Sequence, residues 1–110
     1  MKTIIFGVTQ QRANAKFDEI LTKMGIDSLD KMDRINPYFV NQIRVSVHEK
    51  SLELINGDYY LATVATEGCR GHKANRLFVD AFIDKRMLEE VILPTLIYPT
   101  IPDEQVIFWL

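Results

Sequence analysis

The feature that most constrains this chain is a change of period near its start. Thr3-Ile4-Ile5-Phe6-Gly7-Val8 is a nearly unbroken apolar run, and such runs suit a central strand, because alternate side chains point to opposite faces and both must be covered. From Gln10 the apolar residues fall at helical spacing instead. Ala13, Phe17, Ile20, Leu21 and Met24 form one stripe, and Gly25 is placed to stop the helix. A buried strand that runs straight into an amphipathic helix opens an α/β fold.

Residues 26–42 mix charges with Asn36-Pro37 and hold no period, which predicts a connecting segment with one short helical turn around Leu29 to Met32. The period then becomes two. Ile43, Val45 and Val47 alternate with Arg44, Ser46 and His48; Leu52 and Leu54 follow; Asn56-Gly57 signals a two-residue turn before Tyr59, Leu61, Thr63 and Ala65. This predicts an antiparallel hairpin or meander. Thr66 to Lys73 breaks the pattern with Gly68 and Gly71 and reads as an exposed loop. Arg76-Leu77-Phe78-Val79-Asp80 reads as a second buried strand presenting Asp80 at its tip. Asp84 is a candidate N-cap for a second helical stripe of Met87, Leu88, Val91 and Ile92 that ends at Pro94. After a loop over Tyr98 to Asp103, Gln105 to Leu110 is a final apolar strand. The order predicts one α/β domain over residues 1–110, with a mostly parallel sheet, two packed helices and an antiparallel hairpin insertion at one edge. The alternative is a ferredoxin-like α+β sandwich in which the hairpin strands join the main sheet.

Charge and composition narrow the function classes. Thirteen Lys plus Arg against fifteen Asp plus Glu give a formal charge of −2, so no global basic field points to nucleic acid and any phosphate contact must be local. No apolar run approaches the ~18–20 residues that span a bilayer, and the opening apolar run meets polar Thr9, Gln10, Gln11 and Arg12 at once, unlike a secretory leader. The expectation is a cytosolic protein that does not contact membrane. A single cysteine, Cys69, excludes an internal disulfide and a multi-thiolate metal site, and His48 and His72 lack a third ligand for zinc.

Ile4-Ile5-Phe6-Gly7-Val8-Thr9-Gln10-Gln11-Arg12-Ala13 before a helix, Leu54-Ile55-Asn56-Gly57-Asp58 in a hairpin, Arg70-Gly71-His72-Lys73-Ala74-Asn75-Arg76 before an apolar triplet and Asp80, then Leu88-Glu89-Glu90-Val91-Ile92-Leu93-Pro94, stand in an order that resembles the ATPase domain of the large terminase subunit of tailed bacteriophages. The resemblance covers nearly the whole chain, from after the phosphate loop to the strand of the coupling motif. It implies phage DNA packaging in the host cytoplasm, with Asp80 at the Mg²⁺ position and Arg70 near nucleotide or DNA. The departures are equally definite. The sequence holds no G-x-x-x-x-G-K-S/T phosphate loop, and Ala81 stands where the family has the carboxylate that orients the attacking water. Nor do 110 residues leave room for the family's nuclease domain. The resemblance therefore implies a domain that does not hydrolyse ATP alone, and that takes up Mg²⁺ and ATP if a phosphate loop is supplied elsewhere.

The candidate site residues follow from both lines. Thr9 and Gln10 lie where a strand gives way to a helix, the place where open α/β sheets bind ligands; ordinary helix capping is the competing role. Arg70, His72, Lys73 and Arg76 form a basic cluster that could meet a phosphate of nucleotide or DNA, or could offset Glu67 and Asp80. Asp80 could hold a metal ion or cap a strand-to-helix turn. The parallel layout predicts that Thr9, Asp80 and residues 68–73 meet at one sheet edge. Phe108 and Trp109 belong to a strand that needs covering, which suggests a protein partner or a homo-oligomer. A small phage regulatory protein that binds a partner through a ferredoxin-like sheet is the second functional reading.

Overall fold

The computed structural model describes residues 1–23, 49–55, 57–97 and 105–110, and the backbone of 40–45. The short helix expected around Leu29 to Met32, the stop at Gly25, Asn56 and the loop over 98–103 lie outside the described residues. Among the described residues six strands form one sheet in the order β2-β3-β4-β1-β5-β6. They are β1 (Lys2–Gly7), β2 (Val40–Val45), β3 (Glu49–Leu54), β4 (Tyr59–Val64), β5 (Arg76–Asp80) and β6 (Val106–Trp109). Strand β1 runs parallel to both β4 and β5, and β5 parallel to β6. Strand β3 is antiparallel to β2 and β4. This is the mostly parallel α/β sheet with an antiparallel edge. The ferredoxin-like alternative fails because β1 runs in the same direction as both of its neighbours.

The opening apolar run folds as its lack of alternation requires. Ile4, Ile5 and Phe6 are all fully buried, with Ile5 on one face and Ile4 and Phe6 on the other. Helix α1 (Gln10–Lys23) covers the first face, where Ala13, Phe17, Ile20 and Leu21 meet Ile5, Leu52, Tyr60, Ala62 and Phe78. On the opposite face Ile4, Phe6, Leu77 and Val79 pack against Cys69, Ala74, Val91 and Ile92. Helix α1 begins only two residues after β1 because residue 7 is glycine. A Cβ there would sit 2.7 Å from both the Ala13 nitrogen and the Thr9 oxygen, which are backbone atoms with little freedom to retreat.

Three local expectations change. The hairpin between β3 and β4 closes at Leu54 and Asp58, one residue wider than a two-residue Asn56-Gly57 turn would. The Leu54 N–H donates to Asp58 O (2.8 Å) and the Gly57 N–H to Leu54 O (3.0 Å), with Gly57 at φ 94°, where an L side chain is strained. The exposed loop at 66–73 contains a 3₁₀ turn, Glu67–Gly71, that buries Cys69. The second helix is not one regular helix. Helix α2 (Lys85–Met87), capped by Asp84 accepting from the Met87 N–H at 2.7 Å, passes into a π turn, Leu88–Ile92, and then a 3₁₀ turn, Leu93–Thr95. Pro94 has no N–H for the carbonyl of Glu90 four residues earlier, so that carbonyl takes no α-helical bond. Arg70 donates to that carbonyl instead, at 3.1 Å. Among the described residues no helix is long and apolar enough to cross a membrane.

Candidate functional site

After β1 and α1 the chain forms β2, β3 and β4 on one side of β1, while β5 and β6 lie on the other. The strand order thus reverses between β1 and β5, and the crevice at their C-terminal ends is where sheets of this kind take ligands. Two sequence elements build it: the turn Gly7-Val8-Thr9 into α1, and Asp80-Ala81-Phe82 at the end of β5. Thr9 caps the helix, its hydroxyl accepting from the Arg12 N–H at 3.2 Å. Gln10 turns inward and donates from Nε2 to Asn14 Oδ1 (2.8 Å) and to the Ala62 carbonyl (3.2 Å), which joins α1 to β4.

Asp80 occupies the centre of this crevice with its side chain fully buried. Oδ2 accepts from Arg12 Nε at 2.6 Å and from the Val8 N–H at 3.2 Å. Oδ1 accepts from Arg12 Nη2 at 3.0 Å and from the Phe82 N–H at 3.1 Å. Each oxygen therefore has both of its lone-pair directions in use. Burial by itself pushes the Asp80 carboxyl up, but the Arg12 hydrogen bonds, the Phe82 and Val8 N–H groups and the Arg12 charge together hold it below the usual carboxylate range. The same hydrogen bonds raise Arg12 above its ordinary value. The guanidinium also lies over the exposed Phe82 ring, 4.9 Å from its centroid. Ala81 faces solvent and its N–H donates to Trp109 O at 2.8 Å. Beside the pair, Arg12, Ala15, Lys16, Glu19, Trp109 and Leu110 line a shallow recess of about 220 Å³.

The candidate residues divide between the two ends of the sheet. Thr9, Gln10 and Asp80 share the C-terminal end. The segment from Glu67 starts near that end, where the Ala65 N–H donates to Gly7 O, but then descends the face opposite α1. By Asn75, whose N–H donates to Lys2 O, it has reached the N-terminal ends of the strands. Arg70 is held by Glu67 (2.8 Å) and the Glu90 carbonyl. His72 is half-buried, and burial followed by the charge of Lys2 lowers its pKa. Lys73 is exposed. Arg76 opens β5 at the far end from Asp80 and lies over Phe78, 5.2 Å from the ring centroid. The basic residues contiguous in sequence are thus dispersed in space, because the chain crosses the sheet between Arg70 and Arg76.

Sequence reading passed over Arg12 as the partner of Asp80, 68 positions away. A usable signal was present. Helix α1 has no acidic residue in its first turn, so Arg12 there stands against the helix dipole without a local counter-charge and needs a carboxylate from elsewhere. The Mg²⁺ implied by the resemblance does not fit the residues as folded. Its one candidate carboxylate is filled by protein donors, and among the described residues no group of three His, Cys, Asp or Glu side chains is placed to hold a metal ion.

The fold and crevice define an α/β protein whose switch point is closed by an internal ion pair. No known protein family, curated protein or solved structure shows significant similarity to the chain.

Proposed function

We propose that this chain is a non-hydrolysing module of the terminase-ATPase type, acting in phage DNA packaging or a related phage assembly through protein contacts, with nucleotide and DNA bound weakly if at all. One observation carries the reading. Asp80 stands at the tip of a strand flanked by the parallel strands β1 and β6, with all of its acceptor positions filled by Arg12, Val8 and Phe82, and Ala81 follows it. Phosphoryl transfer depends on positioning a metal-bound phosphate and an attacking water. Here the first place is taken by a guanidinium and the second holds a methyl group. The order of the motifs along the sequence supports the terminase assignment.

The test is phosphate release and calorimetric titration of the purified chain with Mg·ATP, and titration with duplex DNA at physiological salt. Neither turnover nor saturable nucleotide binding is expected. Phosphate release by the purified chain that disappears in Asp80→Ala overturns the non-hydrolysing part. The genomic neighbourhood tests the assembly role: packaging genes beside the coding sequence support it, and a setting without phage genes overturns it.

A further inference from the structure

The two edges of the sheet differ in chemistry. Edge strand β2 reads Val-Asn-Gln-Ile-Arg-Val and carries a register shift between Val40 and Gln42, two devices that discourage further pairing. Edge strand β6 has neither. Residues 105–110, Gln-Val-Ile-Phe-Trp-Leu, contain no charged side chain and no proline. The strand also exposes apolar groups: Phe108 is 54% and Leu110 89% exposed, and Val106, Ile107 and Trp109 are half-buried. The carbonyl of Trp109 points toward β5, where it accepts from Ala81. Backbone groups alternate sides along a strand, so Ile107 also bonds β5, while the N–H and C=O of Val106 and Phe108 point away from the sheet. Among the described residues no strand lies beyond them.

We propose that two copies of this chain pair antiparallel through β6, about a two-fold axis at Phe108. A two-fold axis across a strand edge imposes the antiparallel direction. The outward backbone groups of β6 alternate, so the axis must bring outward residues opposite each other. Centring it on Phe108 does so over the whole of 106–110: Val106 faces Leu110 of the partner subunit, Ile107 faces Trp109 of the partner subunit, and the two Phe108 rings meet. Every such pair is apolar, so no like charges oppose each other, and the formal charge of −2 adds little long-range repulsion. The pairing covers Phe108 and Leu110, the most exposed apolar residues of the edge. The inference rests on the edge alone and stands whether or not the chain belongs to a packaging machine.

Sedimentation velocity over a concentration series tests it. An interface of one short strand is small, so a monomer–dimer equilibrium is expected, half dimeric at or below roughly 100 µM. Phe108→Lys should remain monomeric over the whole series with an unchanged circular dichroism spectrum. Ile55→Lys, an exposed apolar position on the hairpin loop, should dimerise as the unaltered chain does. Phe108→Cys tests the register independently of how the lysine variant folds. Opposed positions at the axis lie about 5.5 Å apart at Cα, within disulfide reach, so oxidised glutathione should link two copies, whereas the unaltered chain, with Cys69 buried, should stay unlinked. A chain that is monomeric throughout, a dimer that survives Phe108→Lys, or a failure of Phe108→Cys to cross-link overturns the proposal.

Discussion

Replacing Asp80 by Asn keeps the shape of the side chain and removes its charge, which isolates what the buried carboxylate contributes. The amide can still accept at one oxygen, but its NH₂ points donors at two of the groups that now donate to Asp80. Whichever way the amide turns, one Arg12 nitrogen and one backbone N–H, of Val8 or Phe82, lose their acceptor. Breaking a buried charge pair on one side costs about 3–5 kcal/mol. The Arg12 side chain is 35% exposed, so water reaches that partner and the lower end applies, about 3 kcal/mol. For a domain of this size that loss lowers the thermal midpoint by roughly 12–18 °C.

The pH dependence supplies the second arm. The folded state holds the Asp80 carboxyl below its ordinary value, so the unfolded chain takes up the proton first as pH falls. The stabilisation is fully present above the unfolded carboxylate value of about 3.9 and is lost as pH falls from there through the folded value. Urea unfolding followed by the fluorescence of the single tryptophan, Trp109, measures both arms. The gap between the unaltered chain and Asp80→Asn should be constant near neutrality and should narrow in acid. Arg12→Met should remove the same pair from the other side, so the double variant loses less than the sum of the two single losses. A cost below about 1 kcal/mol at pH 7, or a gap that persists undiminished to pH 3, refutes the reasoning.

Gly7→Ala should cost roughly 2–4 kcal/mol, because its methyl group meets backbone of the first helical turn; faster amide exchange at the start of α1 is the accompanying sign. Lys50 is 5% exposed and pairs with Asp18 at 2.9 Å, yet Asp18 itself reaches solvent, and the lysine ammonium lies over the Phe17 ring, 5.8 Å from its centroid, which draws the buried stem along the core. Lys50→Met should therefore change the unfolding free energy by less than about 1 kcal/mol while Lys50→Ala costs about 2 kcal/mol more, and equal losses would contradict the packing argument. Ala81→Glu places a second carboxylate after Asp80 but leaves Arg12 in place, so phosphate release with Mg·ATP should stay at the background of the unaltered chain.

Much of the fold was legible because the local signals agree. The run over 3–8 lacks alternation since both faces of β1 are covered, and the stripe Ala13, Phe17, Ile20, Leu21 is the face that α1 buries. The apolar triplet before Asp80 gave β5 its place for the same reason. What stayed hidden depends on contacts distant in sequence. The stripe Met87, Leu88, Val91, Ile92 shows which side is buried but not that Pro94 frees the Glu90 carbonyl for Arg70. Contiguity of Arg70, His72, Lys73 and Arg76 suggested a cluster, yet the segment spans the sheet from one end to the other, and proximity along the chain becomes distance in the fold. The closure of the crevice required knowing that Arg12 and Asp80 face each other across α1 and β5.

The closure also supplies from within the chain the negative charge that a ligand supplies at this position in many open α/β sheets. In an open α/β sheet the turn after the first strand and the start of the following helix direct N–H groups and the positive end of the helix dipole into the crevice, and a bound phosphate commonly answers them. Here the anion belongs to the chain. Asp80 takes the Val8 N–H at the β1–α1 turn, the Phe82 N–H beyond β5 and two nitrogens of Arg12, so one buried carboxylate ties the end of β5 to the start of α1, 68 and 72 positions away in sequence. An incoming phosphate would compete with a buried, fully hydrogen-bonded carboxylate for Arg12, whose guanidinium also lies over the Phe82 ring. At the crevice where topology places a ligand in other open sheets, the Asp80–Arg12 pair thus braces β1, α1 and β5 against one another.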